Sequence, residues 1–144
     1  MWDQRVVNGQ IKKVIDEILG EPTIELGGTN ISTNYIVCPV DEKRTLGIEM
    51  PYIVLQLKNM NKYFTFEVCV LDQKIDQHTK GDKQGKQVKT AVRRRFRASN
   101  YQTNSRVMSF ISTIPLTLEE GWNQVTFDLS GFCMTAYGTR YLET

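Results

Sequence analysis

Short stretches in which apolar and polar residues alternate run along most of this chain. Residues 52–58 and 63–71 each place an apolar side chain at every second position. A period of two is typical of strands that bury one face and leave the other polar. The Asn-rich stretch 59–61 separates the two runs, and this arrangement predicts a β-hairpin.

The same period of two recurs elsewhere along the chain. It appears over residues 30–38 and over 46–50, and each of these runs is closed by a proline. Residues 106–114 and 122–129 predict a second pair of strands, joined across the turn at 119–121. Many short strands separated by turn residues predict an all-β fold, an antiparallel β-sandwich.

Two segments depart from the strand pattern. The first has helical spacing at Ile11, Val14, Ile15, Ile18 and Leu19. Gly20 and Pro22 would end such a helix. The second segment, 129–137, predicts a shorter helix that ends at Gly138. The sandwich is therefore expected to carry one or two short helices.

Length and composition favour a single folded domain over residues 1–144. The chain is 40% hydrophobic and 10% aromatic, which is ordinary for a globular protein. It has no apolar run of about 18 residues, and its N-terminus has no signal-peptide pattern. Its three cysteines lack CxxC spacing and its one histidine is His78, so we expect a reducing compartment and no zinc or other cofactor.

Charge is concentrated in one sector of the chain. Residues 73–97 hold nine basic and two acidic side chains, a net charge of +7, whereas the whole chain carries only +2. The remainder therefore carries −5, and such an asymmetry steers an acidic partner to one side. Within this sector, residues 73–90 are polar and rich in lysine and glycine, and they predict a flexible basic loop inserted in the domain.

An arginine-rich strand follows that loop. On a strand, Arg93, Arg95 and Arg97 would share one face, with Phe96 on the other. Arg94 falls among the inward residues and needs a partner or an escape to solvent, because an unpaired buried charge is costly. A row of guanidinium groups suits carboxylates and phosphates alike.

Catalytic chemistry is not indicated. One histidine within a polar loop cannot support a Ser-His-Asp or Cys-His arrangement. Acidic residues such as Glu119, Glu120 and Asp128 lie at turns or on polar strand faces, where solvated carboxylates are the rule. We therefore expect a protein that is not an enzyme.

Several blocks of the sequence, in the same order, resemble the cilia- and flagella-associated protein 20 family. They are GTNISTNYIVCP, KRTLGIEMPYIV, KYFTFEVCVLD, VRRRFRASNYQTNSRV, EGWNQVTFDLSGF and AYGTRYLET. The resemblance extends from Trp2 to Thr144, apart from the loop after Asp72. It implies a jelly-roll-like β-sandwich and a non-enzymatic part of ciliary doublet microtubules.

The resemblance also implies partners and a location. Members of the family lie at the inner junction of the doublet, where they contact tubulin and alternate with a partner related to the Parkin co-regulated gene product. They support axoneme stability, cilium assembly and the beat. They are also found at basal bodies and centrioles, and nuclear roles exist in the family. No membrane partner is implied.

Three departures from the family pattern shape the expectations. Family members begin earlier and continue beyond YLET, so this domain is expected to be truncated at both ends. The basic loop is longer than the family's link. DEILGEPTIEL, residues 16–26, stands where the family has a strand, and the resemblance favours a turn followed by a strand over 21–26.

The candidate partner-binding residues are Arg93, Arg95, Arg97, Lys58 and Lys62. They would contact acidic carboxylates of tubulin or of the inner-junction partner, although a solvated strand face would also explain the arginines. Binding of nucleic acid is a weaker alternative, supported by Phe96 and Tyr101 among the arginines. Binding of glycans is weaker still, and it would need Trp2, Tyr52 and Trp122 on one exposed platform.

Overall fold

A computed structural model describes residues 2–75 and 90–144. The chain divides into two compact units, Met1–Leu46 and Gly47–Thr144. The predicted basic loop lies largely at 76–89, outside the described residues. The assignment of residues 1–144 to one domain stays a prediction.

The first unit consists of two small antiparallel strand pairs. Its strands are β1 (Asp3–Arg5), β2 (Gly9–Ile15), β3 (Pro22–Gly28) and β4 (Tyr35–Val37). β2 and β3 form a hairpin, and β1 pairs with β4. The strand favoured over residues 21–26 is therefore confirmed as β3.

The helix expected from the spacing of Ile11 to Leu19 is wrong, because turn chemistry dominates there. Oδ1 of Asp16 accepts hydrogen bonds from the backbone N–H groups of Ile18 and Leu19. Gly20 adopts a φ of +69°, a left-handed conformation that glycine tolerates best, and its N–H donates to the Asp16 carbonyl. These bonds close a turn between two strands. The apolar residues before the turn therefore belong to a strand of a two-stranded ladder and not to a helix.

The second unit contains seven strands and one helix among its described residues. They are β5 (Tyr52–Asn59), β6 (Thr65–Lys74), β7 (Val92–Ser99), β8 (Arg106–Val107), β9 (Ile111–Pro115), β10 (Gly121–Asp128), α1 (Leu129–Tyr137) and β11 (Thr139–Glu143). One sheet has the order β11–β6–β7–β9–β8, and only the β7–β9 pairing in it is parallel. The other sheet pairs β5 with β10.

Both strand pairs expected from the sequence are wrong. β5 pairs with β10 and β6 with β7, so the connection at 60–64 crosses between sheets instead of closing a hairpin. Likewise β9 pairs with β7 and β8, not with β10. Alternation shows which face of a strand is buried, but it does not show which strand is its neighbour. Two strands that follow one another in the chain can lie in opposite sheets of a sandwich and still bury their apolar faces in the same core.

The inner faces of the two sheets pack together around an aromatic core. Phe66 on β6 stacks on Phe127 on β10 with ring centroids 5.0 Å apart, and Phe132 of α1 lies 5.4 Å from Phe96 on β7. The helix predicted at 129–137 is confirmed. The Asp128 carboxylate caps its start by accepting from Gly131 N–H. The all-β sandwich is thus confirmed.

Candidate functional site

The outer surface of the five-stranded sheet carries a row of arginines, which we call the arginine face. Its charged residues, placed by the strand registers, are Arg93, Arg95, Arg97, Arg106, Arg140, Glu67 and Glu143. Among the described residues, five guanidinium groups thus share the face with two carboxylates. The prediction that Arg93, Arg95 and Arg97 point away from Phe96 is confirmed, since Phe96 is buried.

Glu67 links two of these arginines. Its Oε1 lies 3.4 Å from Nε of Arg95, and its Oε2 lies 2.8 Å from Nε of Arg97. The side chains of Arg95 and Arg97 remain 51% and 40% exposed. Exposed ion pairs contribute at most about 1 kcal/mol, so a partner carboxylate can replace Glu67 at little cost.

Arg94 has a structural role on the opposite side of β7. Its Nε lies 3.0 Å from Oδ2 of Asp72, a carboxylate with no solvent exposure. Its guanidinium carbon lies 4.3 Å from the ring centroid of Tyr137, and its Nη1 donates to the Ser109 carbonyl. Of the two outcomes expected for Arg94, a partner or an escape to solvent, the structure shows the partner. Arg94 is therefore unavailable to a ligand of the arginine face.

The two candidate lysines lie away from the arginine face. Lys58 is on β5 opposite Trp122, on the outer surface of the two-stranded sheet. Because the inner faces of the two sheets pack together, that surface and the arginine face lie on opposite sides of this unit. Lys62 lies in the connection between β5 and β6, and its carbonyl accepts a hydrogen bond from the Asn100 amide.

Lys62 borders a cavity of about 390 Å³ at one end of the sandwich, which we call the end cavity. Its lining consists of Asn59, Asn61, Lys62, Tyr63, Asn100, Gln102, Leu116, Thr117 and Leu118. The ring of Tyr63, 75% exposed, meets the ring of Tyr101 edge-on with centroids 5.4 Å apart. The sequence pattern did not indicate this cavity, because it is assembled from three connections distant along the chain.

Tyr101 connects the end cavity to the arginine face. Its hydroxyl lies 3.1 Å from Oγ1 of Thr65, which lies 3.0 Å from Oγ of Ser99 on β7. The hydrogen bond with Thr65, then the one with Ser99, and least the positive charge of Arg97 hold the pKa of Tyr101 below its ordinary value. The phenol is therefore within the electrostatic reach of the arginine row.

The aromatic platform needed for glycan binding is not assembled. Tyr52 and Trp122 lie at opposite ends of the β5–β10 ladder, about 20 Å apart by strand rise. Trp2 belongs to the other compact unit. These three rings therefore do not present one continuous stacking surface within either unit.

The two cysteines of the second unit differ in burial, which predicts different reactivity. Burial and the nearby Asp72 carboxylate raise the pKa of Cys133 to about 12, and burial followed by Glu67 raises the pKa of Cys69. Cys69 is exposed on the arginine face, whereas Cys133 is fully buried. Within residues 2–75 and 90–144, no three or more histidine, cysteine or acidic side chains gather where they could hold a metal ion.

We expect iodoacetamide at pH 8 to alkylate Cys69 in the folded protein and to leave Cys133 unmodified, because the thiolate is the nucleophile. The alkylation rate of Cys69 should rise as the pH approaches and passes 9, since its pKa is raised from that value. Mass spectrometry of tryptic peptides measures both sites. Cys133 should react only after addition of denaturant, and equal labelling of the two sites in the folded protein would contradict its burial.

Comparison with known proteins finds relatives that are similar to this chain over its whole length. The model of the CFA20 domain family matches residues 1–79 and 87–144. The proteins named cilia- and flagella-associated protein 20 in Paramecium tetraurelia and Chlamydomonas reinhardtii are each 49% identical over all 144 residues, which cover 67% of those relatives. The protein of that name in Caenorhabditis elegans is 46% identical, with 63% covered. The chain thus spans about two thirds of the length of these relatives.

Proposed function

The chain belongs to the CFA20 domain family, and from this membership we propose that it is a non-enzymatic structural protein of the ciliary axoneme. Its relatives are named for their association with cilia and flagella. The proposed place is the inner junction of the doublet microtubule, with further sites at basal bodies and centrioles. The proposed effect is a stable axoneme, normal cilium assembly and a regular beat.

The observation that carries the docking proposal is the charge of the arginine face. Arg93, Arg95 and Arg97 follow one another on a single strand, and only two carboxylates share their surface among the residues that the structure describes. A positive face complements an acidic protein surface, and it accelerates association and fixes orientation. The proposed partners are tubulin and the inner-junction protein related to the Parkin co-regulated gene product.

Expression of the tagged chain in a ciliated cell tests this function. We expect the chain to remain with doublet microtubules after detergent extraction of isolated axonemes. Reversing the charge of Arg93, Arg95 and Arg97 to glutamate should reduce that retention by roughly tenfold or more, because like charges then face the acidic partner. Immunoblotting of the soluble and axonemal fractions measures the distribution.

The control Lys58→Glu reverses one charge on the outer surface of the other sheet, and its matched variant on the arginine face is the single reversal Arg95→Glu. Lys58→Glu should retain the protein on the axoneme if the arginine face carries the contact. Complete extraction of the unaltered, folded chain with detergent would contradict the axonemal function itself. Equal loss from Lys58→Glu and from the single reversal Arg95→Glu would show that net charge, and not this face, determines retention.

Single-stranded nucleic acid is the second candidate partner, and it would place the protein in the nucleus as well. The exposed ring of Tyr101 lies within the electrostatic influence of Arg97 and contacts the exposed ring of Tyr63, and aromatic rings near arginines suit unpaired bases. Competition between tubulin and an oligonucleotide for the purified protein separates the two candidates. Tubulin and the oligonucleotide are compared at equal charge, and the one that binds the protein more tightly identifies the class of partner.

A further inference from the structure

We propose that the arginine face and the end cavity form one continuous track that binds an extended, glutamate-rich peptide. This inference specifies the partner chemistry of the docking role proposed above and rests on it. The track runs along β7 from Arg93 to Arg97 and crosses Tyr101. It ends at Lys62 and Tyr63 in the end cavity.

The spacing of the arginines fits an extended peptide. Successive residues on one face of a strand are about 7 Å apart, and this is the separation of Arg93, Arg95 and Arg97 along β7. An extended peptide presents its own alternate side chains at the same interval. Glutamates at every second position would therefore each meet one guanidinium, which can hold a carboxylate through two parallel hydrogen bonds.

Glu67 shows that two guanidinium groups of this surface already hold a carboxylate in the folded protein. It lies between Arg95 and Arg97 and contacts Nε of each, at 3.4 and 2.8 Å. Within the described residues, the Arg97 guanidinium has no other hydrogen bond or ion pair. One internal carboxylate thus serves two guanidinium groups, and both retain donors for the carboxylates of a peptide.

The track continues from the arginines into the end cavity through direct contacts. The hydroxyl groups of Thr65 and Ser99 form a hydrogen bond beside Arg97, and the hydroxyl of Thr65 forms another with the hydroxyl of Tyr101. The Tyr101 ring then meets the ring of Tyr63 at the mouth of the cavity. The surface along this line is polar or aromatic, which suits the carboxylates and the methylene stems of glutamate.

The end cavity is preorganised to receive the last residue of the peptide. Asn100 holds its rim, because Oδ1 accepts from Phe64 N–H at 2.7 Å and Nδ2 donates to the Lys62 carbonyl at 2.8 Å. A rim fixed before binding lowers the entropy cost of association. Lys62 supplies a charge for the carboxylate, and Tyr63 supplies an apolar ring for its stem.

The geometry favours peptide over nucleic acid. A single strand needs a stacking surface for successive bases, whereas the outward positions of β7 from Arg93 to Arg97 are arginines and include no aromatic ring. Tyr63 and Tyr101 meet edge-on at one end of the track, so they offer stacking to one or two bases at most. Carboxylates at regular spacing use the whole row.

Fluorescence anisotropy of the purified full chain with two labelled octapeptides tests the proposal. In the first peptide glutamate and serine alternate, so that all of its carboxylates lie on one face when it is extended. The second peptide has the same composition and charge, but its glutamates precede its serines in one block, and only half of its carboxylates share a face. We expect the alternating peptide to bind roughly tenfold more tightly, since it makes more charge-assisted contacts. Equal affinity for both peptides would overturn the proposal, because net charge alone would then explain binding.

Four variants locate the binding on the track. Arg95→Gln should weaken binding of the alternating peptide roughly tenfold, and Lys62→Gln about threefold, whereas Lys58→Gln should leave it unchanged. Glu67→Gln should tighten binding about threefold, because it removes a competing carboxylate. A gain of affinity cannot arise from misfolding. Weaker binding by Glu67→Gln, or equal losses from Arg95→Gln and Lys58→Gln, would refute the track.

Further outcomes separate this inference from the proposed function. Tighter binding of an oligothymidine of the same length than of either peptide would overturn the peptide assignment in favour of nucleic acid. Retention of the chain on axonemes without any peptide binding would overturn the track and leave the axonemal function standing. Peptide binding by a chain that is fully extracted from axonemes would support the track and contradict the axonemal function.

Discussion

Replacing Asp72 with alanine is expected to lower the free energy of unfolding by about 3–5 kcal/mol, because it leaves the charge of Arg94 without its partner. Asp72 has no solvent exposure, and its Oδ2 accepts hydrogen bonds from Arg94 Nε at 3.0 Å and from Thr139 Oγ1 at 2.5 Å. Such a loss is a large part of the roughly 5–15 kcal/mol by which domains are typically stable. Urea unfolding followed by circular dichroism measures it.

Glu67→Ala is the matched control, since it removes another carboxylate from β6 that pairs with arginines of β7. Glu67 is exposed, so its loss should cost about 1 kcal/mol or less. The double variant Asp72→Ala/Arg94→Met should recover much of the stability lost in Asp72→Ala, because no buried charge remains unpaired. Equal costs for Asp72→Ala and Glu67→Ala would show that the buried pair is not stabilised as its geometry indicates.

Arg94 illustrates what alternation in a sequence can and cannot reveal. The strand pattern placed Arg94 on the inner face of β7 and showed that it needs a partner. It could not identify Asp72, which lies 22 residues away and is the neighbour of Arg94 only because β6 and β7 pair antiparallel. Orientation is a local property of a strand, whereas the partner depends on the register of two strands.

Helix α1 was predictable because its signals are local. Asp128 caps its start, and Gly138, with a φ of 62°, ends it in a left-handed conformation. The segment Ile11–Leu19 also had helical spacing, but the side chain of Asp16 binds two backbone N–H groups in a turn. Spacing of apolar residues was therefore less informative there than the turn residues Asp16 and Gly20.

The candidate site was predictable only for residues on one strand. Arg93, Arg95 and Arg97 share a face because they alternate on β7. A hairpin of β5 and β6, as the sequence predicts, would bring Lys58 close to them, but β5 pairs with β10 and Lys58 therefore lies on the other sheet. The end cavity requires the packing of several connections, so a pattern along one segment could not indicate it.

Phe127→Ala is expected to lower the free energy of unfolding by about 3–5 kcal/mol, the range for a large aromatic side chain removed from a core. Phe127 is 4% exposed, stacks on Phe66 at 5.0 Å and meets the ring of Phe132 edge-on at 6.2 Å. It thus joins the two sheets and the helix. The same urea titration measures the effect, and thermal unfolding should show a lower midpoint.

Thr126→Val is the control for this substitution, because Thr126 precedes Phe127 on β10 and is exposed on the outer surface of the same sheet. It keeps a β-branched side chain and removes no buried contact, so its effect should stay within about 0.5 kcal/mol. A small effect of Phe127→Ala would mean that the two-stranded sheet does not cover the five-stranded sheet. The arginine face would then belong to a sheet that is stable without the rest of the sandwich, and its docking geometry would have to be sought in that sheet alone.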